Sequence, residues 1–157
     1  MSAYRVVLLW ENHFIQGTNR EMSVLEERNS MSGAAHPQLV VFDSEFELLR
    51  FDLDGGAGYV LLGDVDFDGA GRIFEAFEAY PGRGGAVELM MEEAELTDGL
   101  SVTRMVDAVR LLVDRFDQVR LIRSPQMLAH SIYRLGMLTE GSRLELVEPR
   151  EEEGEAS

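Results

Sequence analysis

Residues 100–117 carry the strongest structural constraint in the chain, an apolar side chain at every third or fourth position. The repeat consists of Val102, Met105, Val106, Val109, Leu112, Val113 and Phe116. In a helix this spacing places all of them on one face. A helix with one apolar face buries that face against another element. Asp98 precedes the repeat, where its side chain can cap exposed backbone N–H groups. The pattern therefore predicts a long amphipathic helix packed on a layer of other elements.

Short apolar segments before and after this helix predict the layer. In some of these segments apolar and polar residues alternate, as expected for a half-buried strand, and others are continuously apolar, as expected for a strand covered on both faces. The predicted strands are residues 46–53, 59–62, 86–91, 119–122 and 143–147. The run Asp54-Gly55-Gly56 predicts a tight turn, so the first two strands form a β-hairpin.

Two further helices fall between the strands. Residues 70–80 carry Ile73, Phe74 and Phe77 on one face, and Pro81-Gly82 ends the segment. Ser124-Pro125 is typical of an N-cap and first helical residue, and Gly136 ends the helix that follows. The predicted order is ββαβαβαβ, an α/β domain with a mixed sheet of about five strands packed with three or four helices.

The ends of the chain differ from this central region. Residues 1–37 are expected to be a weakly ordered N-terminal extension, although residues 6–10 could form a short buried strand, and Met31 leaves a second start open. Residues 38–148 form the predicted domain. Residues 149–157 are acidic and predict a disordered tail.

Composition excludes several functions. With 29 acidic and 14 basic residues the net charge is −15, so the surface repels nucleic-acid phosphates and anionic lipids. The chain has no cysteine, which excludes thiol chemistry. No apolar run reaches the roughly 18 residues of a spanning helix, and the start lacks a signal-peptide pattern. We expect a cytoplasmic protein that binds no nucleic acid and does not insert into membranes.

The order and spacing of these elements resemble the STAS domain of bacterial anti-sigma factor antagonists over residues 46–147. Four segments carry the resemblance: Leu62-Gly63-Asp64-Val65-Asp66, Glu95-Leu96-Thr97-Asp98-Gly99-Leu100-Ser101, Val119-Arg120-Leu121-Ile122-Arg123-Ser124-Pro125 and Leu135-Gly136-Met137-Leu138. The resemblance implies a STAS-like fold and a regulatory role through protein binding, with no cofactor. It implies a histidine-kinase-like anti-sigma factor as partner. The STAS partner of a lipid-trafficking ABC transporter's ATPase is the alternative, and a homodimer stays open.

The resemblance also implies the contact residues. Partner binding is expected from the start of the long helix and the loop after the second strand, at Asp66, Asp98, Gly99, Leu100, Ser101 and Met105. Gly99 stands where the family has its switch serine, so the usual phosphoacceptor is missing. Ser101, Thr97 or Thr103 could replace it, because a phosphate near a helix N-terminus is favoured by the helix dipole. The alternative for Ser101 is a local hydrogen bond within the first turn.

A calcium loop competes with this interpretation. Asp64, Asp66 and Asp68, with Gly69 and Glu75, have the full spacing of an EF-hand loop. No amphipathic helix precedes the loop, and no second loop exists in the sequence. The alternative is a strand–loop–helix junction whose acids cap the helix.

Catalytic patterns are missing from the sequence. His13, His36 and His130 form no metal-type pair and lie near no nucleophile pattern, and no carboxylate pair stands out from the acidic background. We therefore expect a protein without a catalytic site.

Overall fold

The computed structural model describes residues 37–53 and 55–150. Within these residues the chain forms six strands and three helices. In chain order they are β1 (Gln38–Phe42), β2 (Phe46–Leu53), β3 (Gly56–Val65), α1 (Phe67–Ala79), β4 (Ala86–Leu96), α2 (Gly99–Arg115), β5 (Gln118–Ile122), α3 (Gln126–Arg134) and β6 (Leu144–Val147).

All six strands belong to one mixed sheet, in which they lie side by side in sequence order. The β1–β2 and β2–β3 pairs are antiparallel, and the β3–β4, β4–β5 and β5–β6 pairs are parallel. The β3–β4 register shifts between Val60 and Leu62, where β4 has an extra residue. This bulge re-aims the rest of β4, which continues to Leu96 instead of ending near residue 91 as predicted.

The α/β class and the mixed sheet are confirmed, with one strand more than the five predicted. The additional strand is β1, whose own sequence pattern does not predict a strand. Its residues Leu39 and Phe42 are exposed although they are apolar, because β1 is an edge strand whose outer face is only partly covered. The predicted β-hairpin is present as β2 and β3.

The three helices pack on one face of the sheet. Parallel neighbours joined in sequence order require right-handed crossovers, which place every connecting helix on the same side. The main core between the helices and the sheet includes Leu48, Tyr59, Leu89, Met105 and Ile132, all buried. The repeat at residues 100–117 supplies the inner face of α2 as predicted.

The start of α3 differs from its prediction. The helix begins at Gln126 with Pro125 in the cap position, and Ser124 makes no capping hydrogen bond. Instead the Ser124 side chain is buried without a hydrogen-bond partner among the described residues. The end of α3 is as predicted, because Gly136 adopts a φ of 73°, the left-handed conformation that stops a helix.

The predicted tail begins within the described part of the chain. Arg150 donates hydrogen bonds to the backbone oxygens of Ala94 and Arg123 and pairs with Glu95 at 3.0 Å. Residue 150 is therefore attached to the sheet edge. Residues 1–36, with the predicted strand at 6–10, and residues 151–157 lie outside the described residues.

Candidate functional site

The two predicted site segments meet at one edge of the sheet. Strands β3 and β4 are parallel and end in register, with Val65 opposite Leu96. The Thr97 N–H donates to the Val65 carbonyl at 3.0 Å and holds the two exits together. Asp66 follows the end of β3 directly and Asp98 follows β4 after Thr97, so α1 and α2 begin side by side.

A capping box fixes the start of α2. The Asp98 carboxylate accepts from the Ser101 N–H at 2.8 Å, and the Ser101 hydroxyl accepts from the Asp98 N–H at 3.2 Å. The same hydroxyl donates to the Asp98 carbonyl at 2.7 Å. This reciprocal arrangement satisfies donors that the first helical turn leaves unpaired, and each such cap is worth about 1 kcal/mol.

Ser101 therefore stabilises the start of α2 and is not accessible to a partner protein. Its side chain is fully buried, and its hydroxyl accepts one of the two bonds of the capping box and donates to the Asp98 carbonyl. A kinase could reach it only after the first turn of α2 opened. This corrects the expectation that Ser101 contacts a partner or accepts a phosphate, and it supports the alternative of a local hydrogen bond.

Asp66 caps α1 in a similar way. Its carboxylate accepts from the Gly69 N–H at 2.7 Å. Both aspartates of the predicted surface thus have a structural role, and each still has exposed area at the sheet edge. They define the helix starts whether or not a partner is bound.

The first turn of α2 presents an apolar side chain to solvent. Leu100 is 64% exposed, whereas the following apolar residues of the repeat are turned inward. Gly99 is exposed as well, and a Cβ added there would meet no atom within 4 Å. Met105 is fully buried in the main core, so it is corrected from a partner contact to a core residue.

Two residues that the sequence reading missed complete this surface. Phe67, the first residue of α1, is 41% exposed. The Arg104 guanidinium lies over its ring, 4.9 Å from the centroid. In such a cation–π pair the charged group is attracted to the face of the ring, so the two side chains form one continuous surface. We call Phe67, Gly99, Leu100, Thr103 and Arg104 together the α2 surface.

The remaining candidate phosphoacceptors are on this side of the molecule. Thr97 and Thr103 are exposed. The Thr103 hydroxyl donates to the Gly99 carbonyl at 3.0 Å, one turn back along α2. Both hydroxyls are reachable without unfolding, in contrast to Ser101.

The calcium-loop residues are not gathered around a common point. Asp64 is in β3, Asp66 caps α1, Asp68 is in its first turn, and Glu75 lies two turns further along the same helix. An EF-hand loop has to wrap around its ion, which a helix beginning at residue 67 prevents. No group of three or more potential metal ligands occurs among the described residues. The geometry contradicts the calcium interpretation.

Comparisons with known proteins add no identification. No protein-family model matches the chain, and no curated protein has a matching sequence. Among the helices of residues 37–53 and 55–150, none is long and apolar enough to cross a membrane.

Proposed function

We propose that this chain is a cytoplasmic regulatory domain of the STAS type that acts by binding another protein at the α2 surface, without catalysing a reaction. The observation that carries the proposal is the exposure of Leu100. A leucine in the first turn of an otherwise well-buried amphipathic helix has no core to fill. Phe67 is a second exposed apolar side chain at the same sheet edge, and an exposed apolar patch of this kind marks a docking site.

The α2 surface has the size and chemistry of a small binding hot spot. Full burial of a leucine side chain stabilises a complex by about 2 kcal/mol. The Phe67–Arg104 pair adds an aromatic ring and an arginine, two side-chain types enriched at such sites. Because the capping box holds the first turn rigidly, little conformational entropy is lost when a partner binds.

Charge around the α2 surface favours a partner with basic residues. Asp66, Asp98 and Asp107 are exposed near it, within a chain whose net charge is −15. A basic partner would be steered toward this end of the molecule, and its association rate would fall as salt is added.

The family resemblance suggests a histidine-kinase-like anti-sigma factor as the partner. Gly99 stands where that family has its switch serine, so the proposed regulation does not use phosphorylation at position 99. A phosphate on the exposed Thr97 or Thr103 would add roughly two negative charges to the α2 surface. It would therefore change the surface charge at the site where a partner binds.

Affinity capture tests the proposal. The tagged full-length chain, its Leu100→Arg variant and a Tyr133→Arg control are used as bait in lysate of the source cells. Tyr133 is 74% exposed on α3, so the control adds the same charge to another exposed apolar site. We expect a regulatory protein to be captured by the parent and the control and lost with Leu100→Arg. Equal capture by all three baits, or capture of a transporter ATPase, would contradict the proposal.

A further inference from the structure

The face of the sheet opposite the helices carries a second apolar core. It consists of Leu49, Phe51, Val60, Leu62, Met90 and Ile122, with Leu53 and Val147 packed at its margin. We call these residues the helix-free face, because no helix of residues 37–53 and 55–150 packs against them. The six central side chains are only 0–6% exposed, as deeply buried as the main core.

No described helix accounts for this burial. The buried apolar residues of α1 and α2, with Leu128 and Ile132 of α3, belong to the main core on the other side of the sheet, and the second core contains strand residues only. A sheet face open to water would leave such side chains substantially exposed. The helix-free face therefore has a cover that comes from outside residues 37–53 and 55–150.

Of the two segments outside the described residues, only one contains large apolar side chains that could cover this face. Residues 151–157 read EEEGEAS and contain no large apolar side chain. Residues 1–36 contain the apolar run Val6-Val7-Leu8-Leu9-Trp10, followed by Phe14 and Ile15. We infer that residues 4–15 of the same chain pack across the helix-free face and form the second layer of its core.

Reach and charge agree with a cover from the same chain. Residue 37 leads directly into β1, the neighbour of β2, and the strands from β1 to β5 span about 20 Å. About six extended residues cover that distance, and residues 16–36 provide far more. Pairing between two copies would instead bring together chains of net charge −15.

The rim of the helix-free face also suits this segment. Glu47 and Glu93 lie toward the end of the face that adjoins the β3 and β4 exits, in the register that places them on the same side as Leu62, where Glu95 is paired with Arg150. The segment carries Arg5 immediately before its apolar run. A basic residue at that position complements an acidic rim.

Thiol protection tests the inference, because the chain has no cysteine of its own. Val60→Cys places one thiol on the helix-free face, and Val109→Cys places a matched thiol in the main core. Each is combined with Leu8→Asp plus Leu9→Asp in the apolar run, or with Ser23→Asp plus Ser30→Asp, which lie outside residues 4–15. The readout is the rate of reaction with a soluble disulfide reagent.

We expect the thiol at position 60 to react slowly in the parent and on the order of ten times faster, or more, with the two aspartates at positions 8 and 9. The aspartates at 23 and 30 should leave it unchanged, and the thiol at 109 should stay protected throughout. A fast reaction at position 60 in the parent, or no response to the changes at 8 and 9, would overturn the inference.

Trp10, the single tryptophan of the chain, provides a measurement that needs no substitution. We expect its fluorescence in the unmodified protein to be shielded from iodide and independent of protein concentration. Full access of iodide to Trp10 would overturn the inference, as would shielding that disappears on dilution together with a dimer. If the changes at 8 and 9 expose both thiols because the variant unfolds, the Trp10 result decides.

Discussion

At the scale of single residues, Tyr59 is an ionisable group held in an apolar site. It lies fully buried between the sheet and α1, with the Phe77 ring 4.8 Å away, and its hydroxyl has no hydrogen-bond partner among the described residues. Desolvation raises the pKa of Tyr59 to about 12, although the nearby positive charge of Arg50 opposes part of that shift.

This shift predicts a specific loss of stability in alkali. Between about pH 10 and 12 the unfolded chain releases the Tyr59 proton and the folded chain keeps it, so the free energy of unfolding falls as the pH rises. The slope from this residue is about 1.4 kcal/mol per pH unit. In urea titrations at pH 9 and pH 11, Tyr59→Phe should lose correspondingly less stability than the parent, whereas Tyr133→Phe should follow the parent. Parallel behaviour of all three proteins would contradict the prediction.

Residue roles were predictable where a local pattern decides them. Asp98 precedes an apolar repeat, and it is the cap that this position indicates. Met105 belongs to the same repeat, so its burial could have been foreseen, and its expected role as a partner contact conflicted with that pattern. Phe67 could not be foreseen, because its exposure and its contact with Arg104 depend on how α1 and α2 pack together.

At the scale of secondary-structure elements, the first turn of α2 combines a rigid cap with an unused position. Gly99 lies at the first helical residue, and its missing Cβ is not required by any neighbour. Glycine lowers helix stability by about 1 kcal/mol relative to alanine, and a negative charge in a first turn is favoured by the helix dipole.

We therefore expect Gly99→Asp to raise the free energy of unfolding by about 1 kcal/mol in urea titrations, and to increase partner capture at low salt because its negative charge adds to the acidic surroundings that attract a basic partner. Gly99→Ala serves as the control, since it should stabilise α2 with little effect on capture. A loss of stability with Gly99→Asp, or equal capture by the two variants, would show that this turn does not have the proposed role.

The element order was predictable to the extent that each element carries its own period. The repeat in α2 and the alternation in β2 predicted these two elements at nearly their observed lengths. Strand β4 extends beyond its prediction because a bulge opposite β3 lets the polar segment after Met91 stay paired. Strand β1 was missed because its pairing with β2, and not its own pattern, makes it a strand.

At the scale of the whole molecule, the sheet separates two apolar cores, and different parts of the chain pack against its two faces. The main core joins the sheet to three helices that the sequence pattern predicts, and the helix-free face needs a cover from residues outside this pattern. At the edge where α1 and α2 begin, Phe67 and Leu100 are exposed apolar side chains that belong to neither core.

The most direct test of docking at the α2 surface is amide hydrogen exchange of the full-length chain, measured with and without the captured partner. We expect added protection in residues 97–104 and in the first turn of α1, with α3 unchanged. Protection on α3 or at the β6 edge, with the start of α2 exchanging at its free rate, would contradict it.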